Sequence, residues 1–166
     1  MQSPTGERRQ VGGPPDLTPP ARLASLPSWL LTQTARHAHR LVTEGFAEID
    51  SRGYHYRLLL TLAEVGPTSQ ADLGRRSGIH LSDVVAAVND LTDRQFVERS
   101  PDPTDRRRNV ITLTPAGRRQ LRRLDQRLTR IQDDLLAPLA PVERDQLTRL
   151  LTRLLEHHRS SPAADD

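Results

Sequence analysis

One interruption of the helical pattern constrains this chain more than any other feature. On both sides of it, apolar residues recur at helical spacing. Within it, Phe96-Val97-Glu98-Arg99 and Val110-Ile111-Thr112-Leu113 are short and rich in β-prone side chains. Between them lies Ser100-Pro101-Asp102-Pro103-Thr104-Asp105-Arg106-Arg107-Arg108-Asn109, a hairpin connection with two prolines. Thr114-Pro115 follows, an N-cap with proline at the first helical position. The fold class is therefore mainly α with one small β-hairpin.

The helical pattern places the hairpin in a fixed order. Leu26, Leu30, Thr34, Ala38, Leu41, Phe46 and Ile49 predict a helix over 28–50, capped by Ser28 and broken at Gly53. Tyr54 to Val65 predicts a second helix, closed by Gly66-Pro67. Thr68 or Ser69 caps a short third helix through Arg76, and Gly78 makes a tight turn. His80 to Arg94 is a fourth helix, with Leu81, Val84, Val85, Val88 and Leu91 on one face. After the hairpin, Leu121, Leu124, Leu128, Ile131 and Leu135 form a heptad seam on a long helix that ends near Ala137. A last helix covers about 142–158. Residues 1–24 and 160–166 have tail composition, with Pro4, Pro14, Pro15, Pro19 and Pro20 in the first. The body, 25–159, is thus a helix-turn-helix plus hairpin, a winged-helix lobe at 54–113. Helices at 28–50 and 114–158 flank it. They carry more leucine than a small lobe could cover, and a homodimer would cover that surface.

Charge narrows the function. All 24 basic residues are arginine, and lysine is absent. The formal net charge is only +3, yet residues 94–130 hold eleven arginines against four acids, a local +7. A concentrated basic segment on a slightly acidic body points to a polyanion, and each guanidinium is a permanently charged fork suited to phosphate. An arginine-rich solvated helix face is the alternative at this point. With no cysteine, disulfides, thiolate zinc sites, iron–sulfur clusters and cysteine nucleophiles are excluded. No apolar run approaches the ~18 residues of a membrane span, and the opening residues lack a signal-peptide layout. The expected location is the cytoplasm, with no membrane partner. No G-x-S-x-G, G-x-x-x-x-G-K-[ST] or H-E-x-x-H occurs, so an enzyme is not expected.

The stretch from Phe96 to Gly117 carries a recognisable form. It runs Val97-Glu98-Arg99, Asp102-Pro103, Asp105-Arg106-Arg107, then Val110-Ile111-Thr112-Leu113-Thr114-Pro115-Ala116-Gly117. This D-x-R, then L-T-x-x-G, resembles the wing signature of the MarR family of bacterial transcription regulators. Gln70-Ala71-Asp72-Leu73 and Gly78-Ile79 with Val84, Val88 and Leu91 are similar to that family's helix-turn-helix. The likeness covers about residues 28–158. It implies a dimeric winged-helix repressor, with the outer helices as dimer interface, double-stranded DNA as partner and a small-molecule effector that releases it. Arg107 would then enter the minor groove, oriented by Asp105, while Arg106 and Arg108 meet phosphate. The helix at 80–94 would read the major groove.

That helix contains no arginine and carries Asp83, Asp90 and Asp93. Val85 and Ala86 offer only apolar contact, for instance to a thymine methyl, and Asp90 would repel phosphate. His80, Ser82, Asp83, Ala87 and Asn89 remain for base edges. Asp83 is equally well explained as a first-turn carboxylate facing the helix dipole. Ser69 and Gln70 open the preceding helix and join the expected contacts; backbone affinity falls to Arg75, Arg76, Arg94, Arg99 and the wing. The resemblance also implies a glycine where this chain has Gln95, at a cost of up to ~1 kcal/mol in a strained cap.

For an effector, the few aromatics are informative. Trp29, Gln33, Arg36, His37, Tyr54, Tyr56 and Arg57 form the candidate region, suited to an aromatic or phenolic ligand. Core filling by Trp29, Phe46 and Tyr56 is the competing role. The urate-responsive branch carries an acid near the place of Arg57, which argues against urate. His37, His39, His55, His80, His157 and His158 include no i, i+4 pair, so neither a metal site nor another cofactor is expected. A different class of function also stays open: a basic helical module that dimerises through the 121–135 seam and binds nucleic acid or acidic partners without operator specificity.

Overall fold

The computed structural model describes residues 19–102 and 109–160. The chain divides into two compact units, Met1–His37 and Ala38–Asp166. In the first, α1 (Ala21–Ala24) is a single turn, inside the stretch expected to be tail. The helix α2 (Pro27–Ala47) then begins. The amide of Leu30 donates to the Leu26 carbonyl, so Pro27 holds the first helical position and Ser28 lies within the helix instead of capping it. No described residue of this unit is buried, and Leu23, Leu26, Leu30 and Leu31 are exposed.

The second unit contains the end of α2, α3 (Gly53–Val65), β1 (Thr68–Ser69), α4 (Gln70–Ser77), α5 (Leu81–Asp93), β2 (Val97–Pro101), β3 (Asn109–Leu113), α6 (Pro115–Leu135) and α7 (Pro141–Ser160). It is mainly helical with a small antiparallel sheet, in the order the sequence predicts. The sheet order is β1-β3-β2. Val97 pairs with Leu113 and Arg99 with Ile111, while Thr68 pairs with Ile111 and Ser69 with Val110. The strand β1 is absent from the sequence reading, which gives Thr68 and Ser69 a capping role and Ser69 a DNA contact besides. Ser69 is both cap and strand: its Oγ accepts the Asp72 amide at 3.2 Å while its backbone joins the sheet.

The core joins Phe46, Leu58, Leu59 and Leu62 to Leu73, Val84, Val88 and Leu91, to Ile111 and Leu113 of the sheet, and to Leu121, Leu124 and Ile131 of α6. Most of the heptad seam is therefore consumed within the chain's own core: Leu121, Leu124 and Ile131 are buried there and Leu128 packs against them, while Leu135 is only half-buried and outside it. The sequence offers it as a dimer seam because a 3-4 spacing describes any helix buried along one face. A close approach makes the packing possible: a Cβ at Gly45 would lie 2.5 Å from Ile131 Cδ1. Arg127 Nε donates to the Gly45 carbonyl at 3.1 Å, and its guanidinium pairs with Glu48.

Of the four described helix ends that close at a positive-φ residue, three share one form: Asp50 (φ 51°), Gly78 (φ 61°) and Gln95 (φ 58°). In each, the next amide reaches back five residues: Ser51 to Phe46, Ile79 to Gly74, Phe96 to Leu91. Asp50, not Gly53, thus terminates α2, and Gly53 opens α3. Gln95 occupies a conformation that favours glycine, as the sequence expectation has it.

The chain passes from α5 into the sheet and from the sheet into α6 at one place. Thr114 Oγ1 donates to the carbonyls of Gln95 (2.7 Å) and Phe96 (3.1 Å) and accepts the Gly117 amide at 3.0 Å. A Cβ at Gly117 would sit 2.0 Å from the Phe96 carbonyl oxygen. The L-T-x-x-G element is thus a structural clamp. Gln95→Gly is expected to stabilise the chain by about 1 kcal/mol, and Gly117→Ala to cost about 2 kcal/mol or more. Urea unfolding checks both; an unchanged midpoint in Gly117→Ala would contradict the clamp.

Candidate nucleic-acid interface and ligand cavity

The helix-turn-helix is α4, the Gly78 turn and α5. Gly74 lets the two helices touch, its Cβ position being 3.2 Å from Val84 Cγ2. Within α5, Val84, Ala87, Val88 and Leu91 are buried. The opposite stripe, Leu81, Ser82, Val85, Ala86 and Asn89, is exposed. Ala87 therefore belongs to the core and cannot meet a base edge; the sequence reading misplaced it by one residue, and Ala86 stands outside. His80 is exposed at the N-cap position, and Asp83 is half-buried in the first turn.

The predicted phosphate contacts divide into two groups. Arg75, paired with Asp72, and Arg76 are exposed on α4, with Ser69 and Gln70 at its start. Ser69, Gln70, Ala71 and Asn109 line one shallow depression. Arg99 is exposed on β2 and donates to Asn89 Oδ1 at 2.6 Å, bridging sheet and α5. Arg94 is engaged elsewhere. Its guanidinium pairs with Asp50 at 2.9 Å and Asp90 at 3.6 Å, and lies 5.0 Å from the Phe96 ring centroid. Asp105, Arg106, Arg107 and Arg108 lie outside the described residues.

Arg94 and its partners form one wall of a cavity of about 800 Å³. His39, Thr43 and Ala47 of α2, the Asp50–Tyr54 connection, His55, Asp90 and Arg94 line it. His55 is buried at its centre. The Arg52 amide donates to Nδ1 at 3.3 Å, so Nε2 carries the proton and donates to Asp90 at 3.0 Å. Asp90 thus accepts a hydrogen bond from neutral His55 and faces the Arg94 guanidinium at 3.6 Å. Burial lowers the His55 pKa below its ordinary 6.5, with Asp90 opposing and Arg94 and Arg52 reinforcing. Protonation would also set a second N–H against the Arg52 amide.

Of the predicted effector residues, Tyr54 lines this cavity. Tyr56 instead packs on Phe46, ring centroids 5.6 Å apart. Burial, then a hydrogen bond to Asp125, pushes its phenol pKa up. Arg57 donates to the Gly78 carbonyl at 2.9 Å and so braces the turn between α4 and α5. Both therefore have structural roles apart from the cavity. Trp29, Gln33, Arg36 and His37 lie on the first unit's part of α2, Trp29 and Gln33 half-exposed, Arg36 and His37 exposed. Among the described residues, no three His, Asp or Glu side chains are grouped to hold a metal ion.

Comparison with known proteins agrees with this geometry. The MarR family model matches residues 49–108, from the end of α2 through the wing loop. A probable transcriptional regulator from Pseudomonas aeruginosa is 32% identical, with a TM-score of 0.70 over 80% of this chain and 99% of that one. The chain belongs to the MarR family of winged-helix transcriptional regulators. A curated relative, the putative transcriptional regulatory protein for the hcr operon of Thauera aromatica, is 34% identical over 65% of this chain. The match takes in 65% of that protein, just short of two thirds of its length. PcaV of Streptomyces coelicolor, solved with its natural ligand, is 28% identical with a TM-score of 0.68, over 84% of this chain and 98% of PcaV.

Within this MarR-family lobe, sequence reasoning missed the cavity residues His39, Thr43, Asp50, Arg52, His55, Asp90 and Arg94 as a group. The Asp50–Arg94 pair spans 44 residues and leaves no local signal. His55 does have one, three residues after the Arg52 amide it caps. Because the folded chain binds the His55 proton less readily than the unfolded chain, its contribution to stability is full above pH 6.5. It is lost as pH falls through the lower folded-state value. His55→Gln should flatten the decline in thermal midpoint below pH 6.5. An identical decline in both proteins would remove His55 as its source.

Proposed function

We propose that this chain is a homodimeric DNA-binding transcription repressor, released from a pseudo-palindromic operator by a small aromatic or phenolic ligand. The carrying observation is the winged-helix unit itself. Its exposed α5 stripe is flanked by exposed Arg75, Arg76 and Arg99. In this reading α5 enters the major groove, and Ser69, Gln70, Arg75, Arg76 and Arg99 meet phosphate. Arg107 enters the minor groove with Asp105 orienting it, and Arg106 and Arg108 contact phosphate. His80, Ser82, Asp83 and Asn89 are the polar groups nearest base edges.

The dimer reading is supported by α7, which has no buried residue yet exposes Leu150, Leu151, Leu154 and Leu155. The leucines of the first unit are likewise uncovered. A second copy of the chain covers such faces at the least cost, because closed twofold association repeats one contact twice. A generic basic coiled coil fits less well, because Leu121, Leu124 and Ile131 of its proposed seam are buried in the chain's own core. The ligand reading draws support from PcaV, which was solved with its natural ligand. The cavity bounded by Tyr54 and Arg94 has the size of a small-molecule site. It lies against the last turns of α5, so a ligand there would act on the reading helix directly.

Two measurements test this. Fluorescence titration on a duplex selected from a random library should show tight binding that weakens steeply with salt, and Arg107→Ala should weaken it about tenfold or more. Unchanged affinity in that variant would remove the wing contact. Sedimentation should show a dimer that Leu154→Asp shifts towards monomer; a monomeric parent chain would overturn the dimer.

A further inference from the structure

The exposed face of α5 is chemically unusual for a surface meant to meet DNA. Leu81 is 57% exposed and Val85 40%, and Ala86 stands beside them. Leu81 and Val85, at i, i+4 spacing, are contiguous and about 6 Å apart along the axis, with Ala86 one helical step to the side. None of them packs in the core that Val84, Val88 and Leu91 fill. Two of the three carboxylates of the helix are engaged or half-buried, while Asp93 is exposed on the same face, two turns beyond Ala86. Asp90 is tied to His55 and Arg94, and Asp83 is half-buried. Arginines stand only around it, on α4 and β2. The result is an apolar ridge on the N-terminal half of α5, framed by arginines and bounded at the far end by Asp93.

We propose that this ridge reads thymine 5-methyl groups, with Leu81, Val85 and Ala86 as the specificity-determining side chains. The proposal rests on the DNA-binding reading above and commits to one occupant, the major-groove edge of a duplex. The basic frame supplies the argument: phosphate on both sides of the groove pairs with Arg75, Arg76 and Arg99, which brings the ridge against the groove floor. There the thymine methyl is the one apolar group a base pair displays. Leu81 and Val85, about 6 Å apart, span roughly two base steps of ~3.4 Å each.

Asn89 completes the stripe in a way that sharpens the prediction. Its Oδ1 accepts from Arg99, so the free part of the amide is the Nδ2 donor. The paired acceptor–donor contact of asparagine with adenine is thereby disfavoured, and Asn89 and Arg99 together offer donors. They fit an acceptor edge, such as thymine O4 or guanine N7 and O6. The ridge and its neighbour are both suited to the thymine side of a base pair.

The experiment uses the full chain and the tightest duplex selected from a random library. Each thymine in one half-site is replaced in turn by deoxyuridine, which keeps every hydrogen-bonding atom and lacks only the methyl. The expected result is a three- to tenfold loss of affinity at one or two adjacent positions. In Leu81→Ala or Val85→Ala, the penalty at the matching position should fall to about onefold, while the arginine-dependent salt slope is unchanged. A duplex that binds tightly but is indifferent to every deoxyuridine overturns this inference and leaves the DNA-binding reading standing. A selected site without thymine under α5 has the same meaning. Failure to select any duplex overturns both.

Discussion

Where the Phe96 carbonyl oxygen faces Gly117, there is no room for a single methyl group. Three elements meet at that point. The helix α5 ends on Gln95, β2 leaves from Phe96, and α6 starts with Thr114, whose hydroxyl holds both carbonyls. Hydrogen bonds of this kind each contribute about 1 kcal/mol net. Their larger effect is geometric, since they fix the direction of the hairpin relative to the helix beside it. The buried side chain of Leu113 lies against Gly117 and closes the junction on its core side. The placement of the α5 stripe, the sheet register and the start of the long α6 all follow from this junction.

A second polar cluster works on the other side of α5. Asp50, Arg94, Asp90, His55 and the Arg52 amide are linked in series, and each charge has an opposite neighbour. The series spans the end of α2, the start of α3 and the last turns of α5. Such a network restricts geometry more than it adds net stability, because Asp50 and Asp90 are exposed and solvent screens the Coulomb gain. It also explains an acid that looks misplaced in sequence. Asp90 is half exposed, yet its carboxylate is engaged by His55 and Arg94 on the cavity side of the helix.

Much of the fold was legible because it rests on local rules. Period changes located the hairpin, Thr114-Pro115 located the start of α6, and Gly78 marked the turn. The strained cap at Gln95 follows from the family resemblance, which implies a glycine there. What escaped depends on contacts between distant residues. Thr68-Ser69 is too short for a strand pattern and exists as β1 only because β3 is there to pair with it. The α6 seam has a coiled-coil spacing, yet Phe46 and Leu58 are what lie in the core beside it. Arg94 and Arg57 were assigned to ligands because an arginine in sequence shows charge and not the carboxylate or carbonyl it reaches. Ala87 and Ala86 differ by one helical step of about 100°, finer than periodicity resolves at a helix with apolar residues on both faces.

The double duty of Ser69 has a mechanical consequence. The inner wing strand β3 is paired on both edges, and on one edge its neighbour is the residue that caps α4. Slippage of β3 by one residue would turn Ile111 and Leu113 out of the core and pull the cap from the Asp72 amide. The hairpin is therefore indexed to the helix pair, like a key cut on the same blank as its lock. Its two strands leave the lobe in one register only, and the loop they carry starts from a fixed bearing.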